Sequence, residues 1–173
     1  MPTGLKSTSS PLQISAFVTE TADNTFTSET IPLTLNVLDN EVFVVTQLNI
    51  DVDAPDMSTA NNASVNASLS TTARTFVGSI ANSNVLGSAQ RIIIKNQIQA
   101  PNGECVAYDR EDPLFASISE DYLGIIATNN CFLNIQADQC LNVKTARVRV
   151  YGYRASASSS VYAALVQSEL LSQ

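Results

Sequence analysis

Twelve residues, 42 to 53, constrain this chain more than any other stretch. Val42, Val44, Thr46, Leu48, Ile50 and Val52 fall on alternate positions, while Gln47, Asn49, Asp51 and Asp53 occupy the other set. Side chains alternate across a β-strand with a period of two, so one face of this segment meets a core and the other becomes polar towards its end. A helix would scatter the same apolar residues around its axis. The run exceeds the usual strand of about 5–6 residues, and Pro55, which has no amide hydrogen to donate, marks its end. The pattern predicts a long antiparallel strand in a two-layer β protein, with the rest of the chain packed around it.

The flanking sequence repeats the pattern. Leu12, Ile14, Ala16 and Val18 alternate, as do Leu33, Leu35 and Val37 after Pro32, and Asp39-Asn40 reads as a turn into the long strand. Further strands are expected around Val65 to Ala73, Ile92 to Ile98, Cys105 to Arg110, Tyr122 to Thr128, Cys131 to Ile135 and Ala146 to Val150, with Pro101-Asn102-Gly103 and Asn129-Asn130 as turns. The fold class that follows is all-β, an antiparallel β-sandwich or jelly roll of about eight strands. The two ends read differently. Residues 1–11 form a polar, flexible N-terminal arm, residues 12–155 the sandwich, and residues 156–173 a small-residue linker and C-terminal interaction tail, helical or extended. In that tail Val161, Ala164, Leu165, Ser168 and Leu171 fall at helical spacing after Ser160 as N-cap.

Charged residues make up only 14% of the chain, against a usual ~25%, and Ser, Thr and Asn take their place. A monomer normally keeps its surface charged, so a neutral surface implies that much of it lies against other protein copies. A Ser/Thr/Asn-rich extracellular coat is the alternative. The net charge of −7, with nine Lys and Arg, makes the chain a poor non-specific nucleic-acid binder, since that affinity comes from cations neutralising phosphates. The first residues hold no apolar signal region, and no apolar run is long enough for a transmembrane segment. Synthesis in the cytoplasm without a cleaved export signal is therefore expected, and Asn62-Ala63-Ser64 and Asn66-Ala67-Ser68 read as chance matches to the glycosylation pattern. Cys105, Cys131 and Cys140 lack metal-ligand spacing and read as buried free thiols, with a Cys131–Cys140 pair as the alternative.

The absence of histidine removes Ser-His-Asp and Cys-His nucleophile systems and the commonest general base. Neither a nucleophile elbow nor a phosphate-binding glycine loop is present, and the chain is read as a non-enzyme. Asp51, Asp53 and Asp56 are the candidate metal ligands: the first two share a strand face, the third follows Pro55, and clustered carboxylates suit Ca²⁺. A solvated acidic loop is the simpler reading, and no other cofactor is expected. Asp109, Glu111 and Asp112 form a second acidic group, read as a surface loop or an intersubunit ion pair. The last strand holds Lys144, Arg147, Arg149 and Arg154, four of the nine cations. Arg147, Arg149, Tyr151 and Tyr153 share a face that could stack on bases or meet acidic loops of a neighbouring subunit, and the net charge favours the neighbour. Val161, Leu165, Leu170 and Leu171 are too apolar to be left in water and join them as subunit-interface candidates.

The run of alternating strands, the polar arm, the acidic and charge-poor body and the ending Ala-Arg-Val-Arg-Val-Tyr-Gly-Tyr-Arg-Ala together resemble the small single jelly-roll coat proteins of icosahedral viruses. The resemblance implies a structural virion protein, a capsid building block that self-assembles into an icosahedral shell. Its partners would be copies of itself and other virion proteins, and its location the virion after synthesis in the host cytoplasm. Many RNA-virus coats carry a basic N-terminal arm, whereas this one has only Lys6. In that respect the chain is more similar to proteins of tailless viruses with an internal membrane, or to phage head-decoration and fibre proteins, and direct nucleic-acid binding is not expected. A carbohydrate- or cell-surface-binding β-sandwich, with the loops after residues 53 and 109 as its site, is the reading from a different class.

Overall fold

A computed structural model of the chain describes residues 4–56, 62–95, 105–110, 114–115 and 121–171, and of Lys95, Cys105, Arg110, Leu114, Phe115 and Leu170 only the backbone. The turn expected at residues 101–103 lies outside these. The strands are β1 (Leu5–Ser7), β2 (Leu12–Thr19), β3 (Thr27–Pro32), β4 (Glu41–Val52), β5 (Ala63–Ser70), β6 (Val85–Lys95), β7 (Cys105–Arg110), β8 (Leu114–Phe115), β9 (Gly124–Ile126), β10 (Asn130–Asp138) and β11 (Thr145–Ala157), followed by helix α1 (Ser159–Leu171). One sheet runs β1-β11-β4-β8, with β2 also on β11 and β9 also on β4, and the other runs β3-β10-β5-β6-β7. The pairs β2 with β11, β3 with β10, β4 with β9 and β5 with β6 are antiparallel and nested, the outermost joining the two ends of the chain. A long hairpin rolled across a sandwich gives this order, which is that of a jelly roll. The all-β expectation holds. Among the described residues the count of eleven exceeds eight because β1, β8 and β9, at two to three residues, are short edge segments.

The long strand does not keep one face throughout. Tyr151 of β11 faces Gln47 but Gly152 faces Val45, so Thr46 is an extra residue on β4. Such a bulge reverses which side chains point inward beyond it. Leu48, Ile50 and Val52 face the sandwich core on one side of Thr46, Phe43 and Val45 on the other, while Val42 and Val44 turn outward. The Thr46 hydroxyl donates to the Tyr151 carbonyl at 3.3 Å, which helps hold the irregularity. The strand thereby buries apolar residues on both faces, those of Val42 and Val44 beneath α1. Nor does the expected strand at Leu33–Val37 form. Thr34 takes a left-handed φ of 51°, and the Asn36 side chain caps a single 3-10 turn, Val37–Asp39, by accepting from the Leu38 amide.

The described parts of the two end segments pack on the chain's own sandwich, where composition predicts a flexible arm and an outward-reaching tail. Leu5 pairs with Ala157 and Ser7 with Ala155, and the amides of Thr8 and Ser9 donate to the Arg154 carbonyl. Leu5, the long apolar side chain of this segment, fills a small cluster with Val42, Val44, Ala127, Ala155 and Ala157, against which Val161, Tyr162, Leu165 and Val166 of α1 pack. The linker is absorbed as well: β11 runs to Ala157, and Ser158 rather than Ser160 stands at the cap, its carbonyl accepting from the Tyr162 amide at 2.9 Å.

The contact closes on a buried acid. Glu169 accepts from the Ala127 amide at 2.9 Å through Oε1, while Oε2 has no hydrogen-bond partner among the described residues. Burial raises its pKa, partly opposed by the Ala127 amide and Thr128. The folded protein thus holds this proton more tightly than the unfolded chain, so the associated stability is greatest at acid pH and falls as pH rises from the ordinary carboxylate value through the raised one. Glu169→Gln keeps the acceptor and should remove that decline. Thermal melts across acid to neutral pH would read it, and identical pH profiles for the two proteins would refute it.

Cys131 and Cys140 are buried free thiols, and burial pushes the Cys131 thiol up to about 12. The described side chains of the outer face of β5 and β10 are also unusual, because the segment from Thr71 to Asn84 lies over them. The Gly78 amide donates to Ser68 Oγ at 3.1 Å, and buried Asn134 donates to Ser70 Oγ at 3.0 Å. Among the described residues no helix is long and apolar enough to cross a membrane.

Candidate functional site

The three aspartates singled out in the sequence lie at one end of the sandwich, and each meets a cation. Asp53 Oδ1 accepts from Arg147 at 2.8 Å and its Oδ2 from the Thr145 amide at 3.0 Å. Asp51 lies 3.8 Å from Arg147 and 3.4 Å from Arg91, whose Nε also donates to Asp109 at 3.0 Å. Asp56 pairs with Lys144 at 2.7 Å and accepts from the Leu141 and Asn142 amides at 3.1 and 3.0 Å. The hydrogen bond from Lys144 is the main cause that holds its carboxyl below the ordinary range, against some desolvation. No group of three His, Cys, Asp or Glu among the described residues is arranged to hold a metal ion. The three carboxylates thus tie the end of β4 to the start of β11 and to β6.

A fourth carboxylate completes this end and had no signal in the sequence. Glu20, buried just after β2, accepts from the Ala137 amide at 2.7 Å through Oε1 and from the Lys144 amide at 3.0 Å through Oε2. It joins β10 of one sheet to the segment leading into β11 of the other. Because a buried carboxylate is tolerated only when hydrogen-bonded, its two amide donors are what make this position stable.

The face carrying the Arg and Tyr residues divides in two. Across β2, β11 and β4 the register places Phe17, Arg147 and Asp51 in one row, Ser15, Arg149 and Asn49 in the next, then Gln13, Tyr151 and Gln47. The first two rows line an open depression of about 470 Å³. Arg147 is paired, whereas Arg149 has neither an ion pair nor a hydrogen bond among the described residues. Tyr151 is half-buried, and Tyr153, beyond the bulge, packs against the small cluster under α1 rather than on the open face. Val161 and Leu165 pack there too, Leu171 is exposed, and the Leu170 side chain is outside the described residues. Glu111 and Asp112 also fall outside them.

A second exposed surface was not anticipated as a surface. In the β6–β7 ribbon Ile92 faces Tyr108 and Ile94 faces Val106, and period two puts all four on one side. Ile94, Val106 and Tyr108 are 47%, 68% and 58% exposed. The alternation of Ile92 and Ile94 was legible, but their outward direction depends on the register with β5.

Neither a protein-family model nor a curated protein matches the sequence. Among solved structures the chain is similar, over 87% of its length, to 91% of a chain of Desmodium yellow mottle tymovirus, at 10% identity and a TM-score of 0.28. It is also similar, over 91% of its length, to 86% of a chain from the empty head of turnip yellow mosaic virus, at 13% identity and a TM-score of 0.28. The superpositions are loose, and the jelly roll is defined by the strand pairing alone.

Proposed function

We propose that this chain is a structural virion protein, a capsid building block that associates with copies of itself, and with other virion proteins, into an icosahedral shell. The observation that carries the reading is the apolar side of the β6–β7 ribbon, where Ile94, Val106 and Tyr108 stand in water on a chain with only 14% charged residues. Contiguous apolar surface of this kind on a β-sandwich is what association covers. Arg149, which has no ion pair or hydrogen bond among the described residues, supplies a cation for an acidic neighbour on the other sheet. Light scattering and electron microscopy of the purified protein test the reading. Concentration-dependent growth to closed particles is expected, and a monomer that persists at high concentration and with companion virion proteins would overturn it.

A further inference from the structure

We propose that β2 is a docking edge for a second copy of this chain, the two β2 strands pairing antiparallel across a two-fold axis so that the β1-β11-β4 sheet continues from one subunit to the next. The inference rests on the self-association proposed above and names the surface that performs it. β2 pairs with β11 on one side and with no described strand on the other. An open edge presents unpaired amides and carbonyls, and β proteins normally protect it with charges, proline, bulges or shortness. The other edges have such devices. β3 carries Glu29 and Pro32, β7 carries Asp109, and β1, β8 and β9 are only two or three residues long.

β2 has none of them. Its eight residues, Leu-Gln-Ile-Ser-Ala-Phe-Val-Thr, contain no charge and no proline, and its register with β11 runs without a shift. Phe17 is 68% exposed on the outer side. On the inner side Leu12, Ile14 and Ala16 face the core yet are only partly buried, because the sandwich opens there into a cleft of about 760 Å³ between β2 and β3. An extended strand laid along this edge would satisfy its free backbone groups and cover those side chains.

A second copy fits better than a charged segment, since β2 is neutral along its whole length: it offers a charged partner no counter-charge, whereas two copies bring only uncharged side chains opposite one another. Residues directly opposite in an antiparallel pair share a face. Continuity of the inner layer therefore places either Ser15 or Ala16 on the two-fold axis, with Ile14 opposite Ala16 or Val18 of the second copy. Glu29 and Pro32 keep β3 out of the ladder, so only one sheet is extended.

Two sets of variants of the full chain test this by sedimentation velocity across a concentration series. Ser15→Lys, at an exposed position, is expected to leave the circular dichroism and melting of the subunit unchanged. It should raise the concentration of half-association by about ten-fold or more, by placing charge at the centre of the contact. Ser15→Cys or Ala16→Cys should form a disulfide-linked dimer under mild oxidation, whereas wild type and Gln13→Cys should not. If wild type associates but Ser15→Lys associates equally well and neither cysteine cross-links, the β2 edge is excluded while self-assembly stands. If wild type never associates, both readings fall.

Discussion

Gly152→Ala is expected to destabilise the protein by about 3 kcal/mol or more, a large part of the 5–15 kcal/mol that holds a typical domain together. A Cβ at this position would stand 2.2 Å from the Val44 carbonyl oxygen and 2.8 and 2.9 Å from two carbons of the Phe43 ring. Neither can retreat cheaply. The carbonyl belongs to backbone fixed next to the Thr46 bulge, and Phe43 is fully buried in the core. At an unobstructed site Gly→Ala usually stabilises by about 0.4–1 kcal/mol, through the unfolded chain, so the prediction reverses the ordinary sign. Urea denaturation reads it directly, and an unchanged midpoint would mean that the bulge relaxes around the extra methyl group.

Ending the chain at Ser158 is expected to cost about 4 kcal/mol or more, leaving a protein that unfolds or aggregates instead of a stable truncated subunit. Val42 and Val44, both fully buried, would face water, as would Leu5 and Ala155. Each buried Val or Leu side chain contributes about 1.5–3 kcal/mol, and the loss is only partly offset by the entropy regained when thirteen helical residues are removed. Leu165→Ala in the full chain should reproduce a fraction of the effect. A truncated protein that stays monomeric and melts with wild type would show that the helix does not stabilise its own sandwich.

Much of this architecture is legible from period-two patterning, and the errors have identifiable causes. Leu12 to Val18, Leu48 to Val52 and Cys131 to Ile135 alternate as strands because one face of each meets the core. The reversal at Thr46 is invisible to a count of alternate positions, since Val42 and Val44 are apolar on either side of it. Its available signal was the lone glycine within the Arg-Val-Tyr-Gly-Tyr strand, as an isolated strand glycine often marks a bulge or a close backbone approach. At the C-terminus the apolar content pointed to contact with an apolar surface, but composition cannot say whether that surface is the chain's own sheet, on which Val161 and Leu165 pack, or another molecule, and Leu171 stays exposed. The acidic cluster was visible as a local pattern. Its partners Arg91 and Lys144 are distant in sequence, and Glu20, a lone acid after a strand, became recognisable only when the fold brought the Ala137 and Lys144 amides to it.

The nested pairing also sets the order in which the molecule can come into being. β11 lies between β4 on one side and both β1 and β2 on the other, yet the ribosome delivers it after all of them. Until then β1 and β2 have no neighbour, and β4 has only the short β8 and β9. Thr19 and Thr145, whose hydroxyls meet at 2.9 Å, are 126 residues apart, and closing so long a loop is an entropic cost that, among the described pairings of that sheet, only the short β4–β8 and β4–β9 ladders precede. The β3-β10-β5-β6-β7 sheet can form once β10 has emerged, whereas its companion must wait for the closing strand. Nascent chains therefore remain without their second layer until β11 has emerged, with Val42 to Val45 uncovered, and a chain released before residue 145 has no route to the sandwich.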